Sequence, residues 1–513
     1  MYRIFKDNDL SKNNIQSNKK VKLKKSLKEN RKLFEDILRN DDTIIFREFE
    51  MNNLNVKCMI ILVDGMVNSE TINENVIKPI MSKEINKNIP ENKIVDELLD
   101  KVLTIDEIKR TSDMDVIIGS LLYGNTILIL DGIDEAMLLS TKGWSVRAIS
   151  EPSSERIVKG PRDGFSESLI VNLSLIRRRI SNANLKFKHK EIGTKTKTQI
   201  SISYIEGLAN EKILTELENR IDKIDIDGIL SSNYIQELIT DSPFSPFETI
   251  GYTERPDVVA GRLLEGRFAI IVDGTPVVLT LPFIFMEYFQ SNQDYYNHYI
   301  FASINRILRY LAFILSTSTP AIFVALITFH QEMIPTPLLL SITAAREGVP
   351  FPTIIEAIGM MVVFELLREG GIRLPEPVGA TVSIVGALVL GQAAVEAKFV
   401  SAPIVIVVAL TGISSFLIYP MKGAIIVIRI IFLLLSGFLG LYGYIFGIIG
   451  LFIHLMSMRA FGIPYMLNLT SLKGQEVKDT VIRAPWWYMK DRPNLIADKD
   501  PVRKSDASGK DSK

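Results

Sequence analysis

The stretch IIFLLLSGFLGLYGYIFGIIGLFIHLMSM, residues 430–458, contains no Asp, Glu, Lys or Arg. As a helix, its 29 residues would extend about 43 Å, well beyond the ~30 Å hydrocarbon core of a bilayer. Its glycines allow a bend, a tilt or a tight hairpin; they are Gly437, Gly440, Gly443, Gly447 and Gly450. Three other uncharged runs precede it, at 310–329, 377–395 and 399–421. The four runs predict a multi-pass α-helical membrane protein.

Charge is distributed unevenly along the chain, although its 59 basic and 59 acidic side chains balance. Most charged residues lie before residue 306 or after residue 458. The N-terminal part instead alternates β-branched apolar runs with helical patterns, which is typical of α/β domains. We therefore predict the fold class as a multi-pass α-helical membrane protein with a large N-terminal cytoplasmic α/β region of two subdomains. The cytoplasmic placement is expected because no apolar signal segment follows Met1.

Changes in composition along the chain predict six regions. Residues 1–40 are rich in Lys and Asn, and few apolar residues are interleaved. This arm could bind anionic lipid or nucleic acid, but a disordered, solvated arm explains the composition better. The predicted regions are a basic disordered arm (1–40), α/β subdomain 1 (41–146), α/β subdomain 2 (147–245), a linker with a β-hairpin and an interfacial aromatic helix (246–306), a transmembrane domain with a short re-entrant or interfacial segment (307–459), and a cytoplasmic tail (460–513).

The local pattern also predicts individual elements of the α/β region. Strands are expected at 44–50, 56–63, 126–130 and 135–139, and helices at 113–122 and 166–180. Asp131-Gly132 and Asp273-Gly274 each separate two apolar runs and predict β-hairpin turns.

Signals for catalysis or metal binding are weak. Cys58 is the single cysteine, so an intrachain disulfide and a cysteine-based zinc cluster are excluded. The four histidines are not spaced as metal ligands on a helix. We therefore predict a protein that is not an enzyme, with no catalytic residue, no cofactor and no metal.

A loop rich in Gly and Pro precedes a helix that carries Arg177, Arg178 and Arg179. Its composition predicts a defined conformation, either an interdomain or intersubunit joint or an ordinary surface loop. The candidate joint residues are Glu151, Gly160, Pro161, Arg162, Gly164, Phe165 and Glu167.

Polar and small residues interrupt the centre of the apolar region. Ionisable residues at membrane depth usually face a bundle interior or an aqueous path, whereas small residues more often indicate close helix packing. Glu365 adjoins Arg368 and Glu369, so a position at the membrane interface is favoured for it. The candidate pore or gating residues are Glu356, Glu365, Gly386, Gly391, Gln392, Ala393 and Glu396.

These motifs together resemble the A subunits of GerA-type spore germinant receptors. The resemblance lies in PFP (350–352), ELLREGGIRLP (365–375) and GATVSIVGALVLGQAAVEA (379–397). Upstream it includes EP (151–152), GPR (160–162), GF (164–165) and Glu167, then EGR (265–267) and VDGTP (272–276). It extends from about residue 44 to residue 493.

The resemblance implies a nutrient-sensing complex that triggers spore germination from the inner spore membrane. In this family the A subunit works with a transporter-like B subunit and a lipoprotein C subunit. A subunits are thought to self-associate into a ring that acts as an ion channel in signal transduction. We expect these partners and membrane lipid, and no nucleic acid. Two alternatives stay open, namely a small-solute transporter and a passive membrane scaffold for the other receptor subunits.

Overall fold

The computed structural model describes residues 22–52, 56–83, 91–144, 151–152, 154–373, 389–467 and 479–489, together with Arg492 and Ile496. This chain divides into two compact units. Unit 1 takes the described residues up to residue 149, together with Phe165–Lys190 and Ser201–Glu206, and unit 2 takes the rest.

Unit 1 contains an antiparallel five-stranded sheet with the strand order β1-β2-β4-β5-β3. The strands are β1 (Ile44–Glu50), β2 (Lys57–Val63), β3 (Ile108–Thr111), β4 (Thr126–Leu130) and β5 (Ala136–Leu139). Alternate residues of β2 face opposite sides, so Met59 and Ile61 join one buried cluster while Cys58 and Ile60 join another. The Asp131-Gly132 hairpin is confirmed, with Gly132 at φ 89° between β4 and β5.

Helices cover both faces of this sheet. Helices α1 (Leu27–Ile37) and α5 (Met114–Leu122) pack on one face. The other face is covered by α2 (Ser69–Ile72) and α3 (Lys78–Ser82), joined by a π-helical turn, and by α4 (Glu91–Glu97), which continues as a second π-helical turn.

The prediction of a disordered arm is wrong for residues 22–40. Leu23, Leu27 and Phe34 are buried in the core of unit 1, and α1 occupies most of this segment. Leu27 and Phe34 lie two turns apart on one face of α1, which the high lysine content obscured. Residues 1–21 of the predicted arm lie outside the described residues.

The division into units also differs from the predicted boundary at residues 146 and 147. Helix α6 (Leu169–Arg179) belongs to unit 1 although it was assigned to the second subdomain. The side chain of Arg177 is buried against Asp41 and donates to the carbonyl of Leu185 at 3.1 Å. A buried charge of this kind is stable only with its partner, so α6 is held beside β1.

The α/β part of unit 2 is built on an antiparallel arrangement of three strands in the order β9-β10-β8. The elements of this part are α7 (Glu211–Asp222), α8 (Ser232–Ile239), β8 (Gly251–Thr253), α9 (Pro256–Leu263), β9 (Phe268–Val272) and β10 (Val278–Leu281). The neighbouring strands are β6 (Leu185–Ile192) and β7 (Thr198–Ile205). Only the end of β6 and the start of β7, next to the turn that joins them, belong to unit 2. There the N–H of Asp273 donates to the carbonyl of Gln199 at 3.0 Å. The Asp273-Gly274 hairpin is confirmed between β9 and β10.

The predicted interfacial aromatic helix is not a single helix. Its residues form a 3₁₀ turn at Phe285–Phe289, the short helix α10 (Gln293–Tyr296) and the start of a long helix. Phe283, Phe285, Tyr288 and Phe289 are buried in one cluster, where the rings of Phe289 and Tyr310 stack with centroids 4.1 Å apart. These four residues therefore pack against other aromatic rings inside the protein and do not lie at the expected head-group position.

The C-terminal half of unit 2 is helical. Its helices are α11 (Tyr299–Phe329), α12 (Thr336–Arg346), α13 (Thr353–Arg373), α14 (Ala402–Phe416) and α15 (Lys422–Ser457), and residues 389–396 are also helical. Within the described chain, two helical segments are long and apolar enough to cross a membrane, Tyr299–Phe329 and Tyr419–Ser457. Helix α14 is apolar, but its 15 residues fall short of the roughly 20 that a span needs. Most of the predicted span at 377–395 lies outside the described residues.

Helix α15 reverses direction at Gly440, where φ is 61° and ψ is −144°. A Cβ on Gly443 would lie 2.1 Å from the carbonyl oxygen of Leu435, and one on Gly447 would lie 2.9 Å from Phe432. Each pair has one residue before Gly440 and one after it, and the pair closer to Gly440 in sequence lies inside the other. Residues 422–439 and 441–457 therefore form two antiparallel arms. Of the bend, tilt and hairpin that the glycines allow, the structure has the hairpin.

Candidate functional site

The loop at residues 151–164 is joined to β8 and α9 through the half-buried carboxylate of Glu155. Glu155 accepts hydrogen bonds from the Thr253 hydroxyl at 2.5 Å and from the Glu254 N–H at 3.0 Å. Burial raises the pKa of Glu155, although both hydrogen bonds oppose this shift. The contact anchors the loop at the end of β8.

Arg255 continues this network towards α10. Its guanidinium donates to the carbonyl of Pro161 at 2.7 Å and to the carboxylate of Asp257 at 2.9 Å. The same carboxylate oxygen of Asp257 accepts from the Tyr296 hydroxyl at 2.6 Å and from Asn292 at 2.5 Å. The loop is thus connected by charge-assisted hydrogen bonds to the segment that leads into α11.

Gly160 brings the loop backbone directly against Tyr296. A Cβ at Gly160 would lie 2.6 Å from Cδ2 of the Tyr296 ring and 2.7 Å from Cδ1 of Ile157. The φ of Gly160 is 133°, which residues with a side chain rarely adopt. Glycine is therefore required here both by the backbone conformation and by the close approach.

The predicted joint residues separate into two groups. Gly160 and Pro161 make the contacts just described, whereas Glu151, Arg162 and Glu167 have exposed side chains. Gly164 and Phe165 are buried, the first in unit 2 and the second in unit 1. Glu155, Arg255 and Asp257 were not predicted as partners, because about 100 positions separate the loop from β8 and α9.

A buried ion cluster surrounds the first turns of α11. Asp294 accepts from Arg306 at 3.0 Å and from Arg309 at 2.8 and 2.9 Å. Arg306 also donates to the carboxylate of Asp479 at 2.7 Å, and the Tyr295 hydroxyl donates to the other oxygen of that carboxylate at 2.7 Å. Arg306 and Asp294 are 0% and 1% exposed, so each charge depends on its partners. No local pattern in the sequence predicts this cluster.

Glu356, the first predicted pore residue, is buried and joins three helices. Its carboxylate accepts from the N–H of Ser401, the residue before α14, at 2.8 Å. Arg346, the last residue of α12, lies 3.3 Å from its other oxygen. In this chain Glu356 on α13 holds the helix ends together.

Glu365 forms a charge cluster with two arginines. It is paired with Arg368 on the same helix and lies 3.5 Å from the guanidinium of Arg429 in α15. Arg429 is 3% exposed and donates to the carbonyl of Ser316 in α11 at 3.0 Å. The cluster therefore connects α13, α15 and α11.

The remaining predicted pore residues lie on the helical segment 389–396, apart from Gly386, which is outside the described residues. Gly391 is buried, and a Cβ there would contact Val405 at 3.7 Å. Gln392, Ala393 and Glu396 are exposed, and the Gln392 amide donates to Glu396 at 2.9 Å. The structure thus places the polar members of this set on the surface of the chain.

The fold defines an α/β protein whose C-terminal half carries apolar helices of membrane-spanning length. A model of the Bacillus/Clostridium GerA spore germination protein family matches residues 32–495, and the chain belongs to this family. The resemblance found in its motifs is confirmed.

Individual relatives match over most of the chain. Spore germination protein KA of Bacillus subtilis (strain 168) is 47% identical, over 92% of this chain and 86% of its own. The membrane protein YfkQ of the same strain is 42% identical, over 94% of each chain. A crystal structure of the N-terminal domain of the A subunit of the Bacillus megaterium spore germinant receptor GerK3 is 33% identical, with a TM-score of 0.42, and covers 52% of this chain and 98% of that one.

Proposed function

We propose that this chain is the A subunit of a nutrient germinant receptor that triggers spore germination, and that its copies form a ring that gates ion release. Membership of the GerA family carries this proposal. The complex would include a transporter-like B subunit and a lipoprotein C subunit and would lie in the inner spore membrane. The chain would cross this membrane several times, with its N-terminal region in the cytoplasm.

Contacts at the start of α11 support this topology. Arg306 near the start of α11 binds Asp479, and the Ser303 hydroxyl accepts from the N–H of Arg483 at 3.1 Å. The segment before the first long helix and the C-terminal tail therefore meet at the same end of the helical region. This arrangement is consistent with an even number of crossings and with both chain ends in the cytoplasm.

The exposed side of residues 389–396 supports self-association. Glu396 and Gln392 are exposed beside the apolar residues Val389 and Leu390, which are 56% and 48% exposed. An ionisable side chain that faces lipid tails is costly, and contact with another copy or with an aqueous path removes that cost. Ala393, between the two polar residues, leaves room for a close helix neighbour.

The joint at residues 151–164 would transmit a signal from the α/β region to α11. Gly160 contacts Tyr296, three residues before α11 begins, and Arg255 connects the loop to the same tyrosine through Asp257. The exposed joint residues Glu151, Arg162 and Glu167 would then contact a neighbouring subunit.

Nutrient-triggered cation release from spores tests the gating proposal. The variants Ala393→Leu and Glu396→Gln should alter the rate of release at unchanged protein level, because each changes the exposed side of residues 389–396. Phe399→Leu, just beyond this segment and also exposed, should leave the rate unchanged. Normal release from both test variants would contradict a pore or gating role for this segment.

Ion conductance of the chain reconstituted in liposomes separates a channel from a passive scaffold. The proposal predicts a conductance that Glu396→Gln changes. Proteoliposomes that contain folded protein but conduct no ions would favour the scaffold.

A further inference from the structure

Three consecutive aromatic residues near the C-terminus are exposed in an ordered turn. Trp486, Trp487 and Tyr488 form a 3₁₀ turn, here called the aromatic turn, and are 51%, 61% and 56% exposed. Exposed aromatic side chains in one short segment usually indicate a binding surface.

Specific contacts hold the aromatic turn beside the first turn of α11. Trp487 packs against Tyr299 with ring centroids 6.0 Å apart, and Trp486 lies 5.8 Å from Tyr295. The guanidinium of the buried Arg483 lies over the Trp486 ring at 5.3 Å and over the Tyr295 ring at 5.9 Å. The position of the turn relative to α11 is therefore defined by Tyr295 and Tyr299, and Tyr295 also donates to Asp479 of the ion cluster.

The surface of α11 continues from the aromatic turn as an apolar stripe. Its residues recur every three or four positions and are roughly half exposed: Ile300, Ile304, Ile307, Leu308, Leu311 and Ile314. The 31 residues of α11 measure about 46 Å, which exceeds the ~30 Å hydrocarbon core of a bilayer. Because Arg306 and Arg309 precede the uncharged run at 310–329, the turns of α11 before Tyr310 would extend beyond the hydrocarbon, to the depth of the lipid head groups.

We propose that the aromatic turn is a lipid anchor that inserts Trp486 and Trp487 at the head-group level of the membrane. Indole rings favour this depth because they combine an apolar surface with an N–H donor. The apolar stripe on α11 identifies lipid as the occupant, since the turn is continuous with the surface that would face lipid tails. This inference rests on the membrane placement of α11 in the proposed function.

Tryptophan fluorescence tests the anchor directly, because the chain has only three tryptophans. The variants W144F/W487F and W144F/W486F keep one tryptophan of the aromatic turn, and W486F/W487F keeps Trp144 in unit 1 as the control. Each full-length variant is reconstituted in phosphatidylcholine bilayers brominated either near the head group or deep in the acyl chains. Adding Ile314→Trp to the triple Trp→Phe variant reports on α11 itself.

The fluorescence of Trp486 and Trp487 should be quenched more strongly by bromines near the head group than by bromines deep in the acyl chains. Trp144 should lose little to either lipid, and the tryptophan at position 314 should be quenched. If position 314 is quenched while neither tryptophan of the turn is, the anchor is overturned and the membrane placement of α11 stands. If position 314 is also unquenched, the membrane placement fails, and the anchor fails with it.

Discussion

Phe432 and Tyr444 pack edge to face with ring centroids 5.6 Å apart, although both belong to one uncharged run of the sequence. In a straight helix, twelve positions would separate them by about 18 Å. The reversal at Gly440 divides α15 into two arms of about 26 Å each. Both ends of α15 therefore lie on the same side, and a single long span is replaced by a helical hairpin.

Cysteine cross-linking tests this hairpin. In a Cys58→Ser background, the pair Phe432→Cys and Tyr444→Cys should form an intramolecular disulfide on oxidation. The pair Phe313→Cys and Ala325→Cys in α11 has the same sequence separation and should remain reduced. The measurement is the mobility shift on non-reducing gels after cleavage of the chain between the two cysteines. A pair at 432 and 444 that stays reduced would argue for a straight α15.

Substitution of Gly160 should loosen the loop at residues 151–164. Gly160→Ala combines a strained φ of 133° with a clash against Tyr296, and we expect a local cost of about 1–3 kcal/mol. Amide hydrogen exchange in the loop should become faster. Gly274→Ala is the matched control, because its φ is 83° but a Cβ there meets open space. Equal effects on the two local segments would show that the Tyr296 contact contributes nothing.

Removal of the Arg306 charge should destabilise unit 2. Arg306→Gln leaves the buried carboxylate of Asp294 and the partly exposed carboxylate of Asp479 short of one partner, and we expect a loss of roughly 3–5 kcal/mol in the free energy of unfolding. Denaturant unfolding in detergent measures this loss. Lys195→Gln removes a cation that is 80% exposed and should have little effect. Comparable losses from both variants would show that burial of the Arg306 ion pairs does not increase their contribution to stability.

The stability of unit 2 should decrease between pH 5 and pH 8 because of Glu248. Burial raises the pKa of Glu248 to about 7 from its ordinary value of 4.5, although a hydrogen bond with Gln236 opposes the shift. The folded state thus favours the protonated carboxyl. This contribution is complete below about pH 4.5 and is lost as the pH rises through about 7.

Thermal unfolding of Glu248→Gln at several pH values tests this dependence. The stability of this variant should decrease much less with rising pH, because the amide does not titrate. Glu237→Gln, at an exposed position on α8, should show the same decrease in stability as the unmodified protein. An unchanged pH profile in Glu248→Gln would assign the decline to other groups.

Local pattern was sufficient to predict much of the α/β region. The predicted strands at 44–50 and 126–130 coincide with β1 and β4, and the two Asp-Gly hairpins are present. Apolar alternation and turn chemistry act between near neighbours, so the sequence reveals them. The local pattern was misleading for residues 22–40, where four buried apolar side chains outweigh the many lysines: Leu23, Leu27, Phe34 and Leu38.

The candidate site shows a similar division. Glycine and proline content identified the loop at 151–164, but not Arg255, which binds it from 94 positions away. Polar residues within apolar sequence identified Glu365, but not its contact with Arg429. Neither partner has a local signal in the sequence.

By itself, the sequence determined the α/β character of the N-terminal part, the apolar helical C-terminal part and the family. The tertiary structure decided the hairpin at Gly440, the burial of α1 and the contact of Arg306 with Asp479. The physical reason is that periodicity and turn propensity depend on adjacent residues. Chain reversal and buried ion pairs depend on which distant side chains can exclude water together.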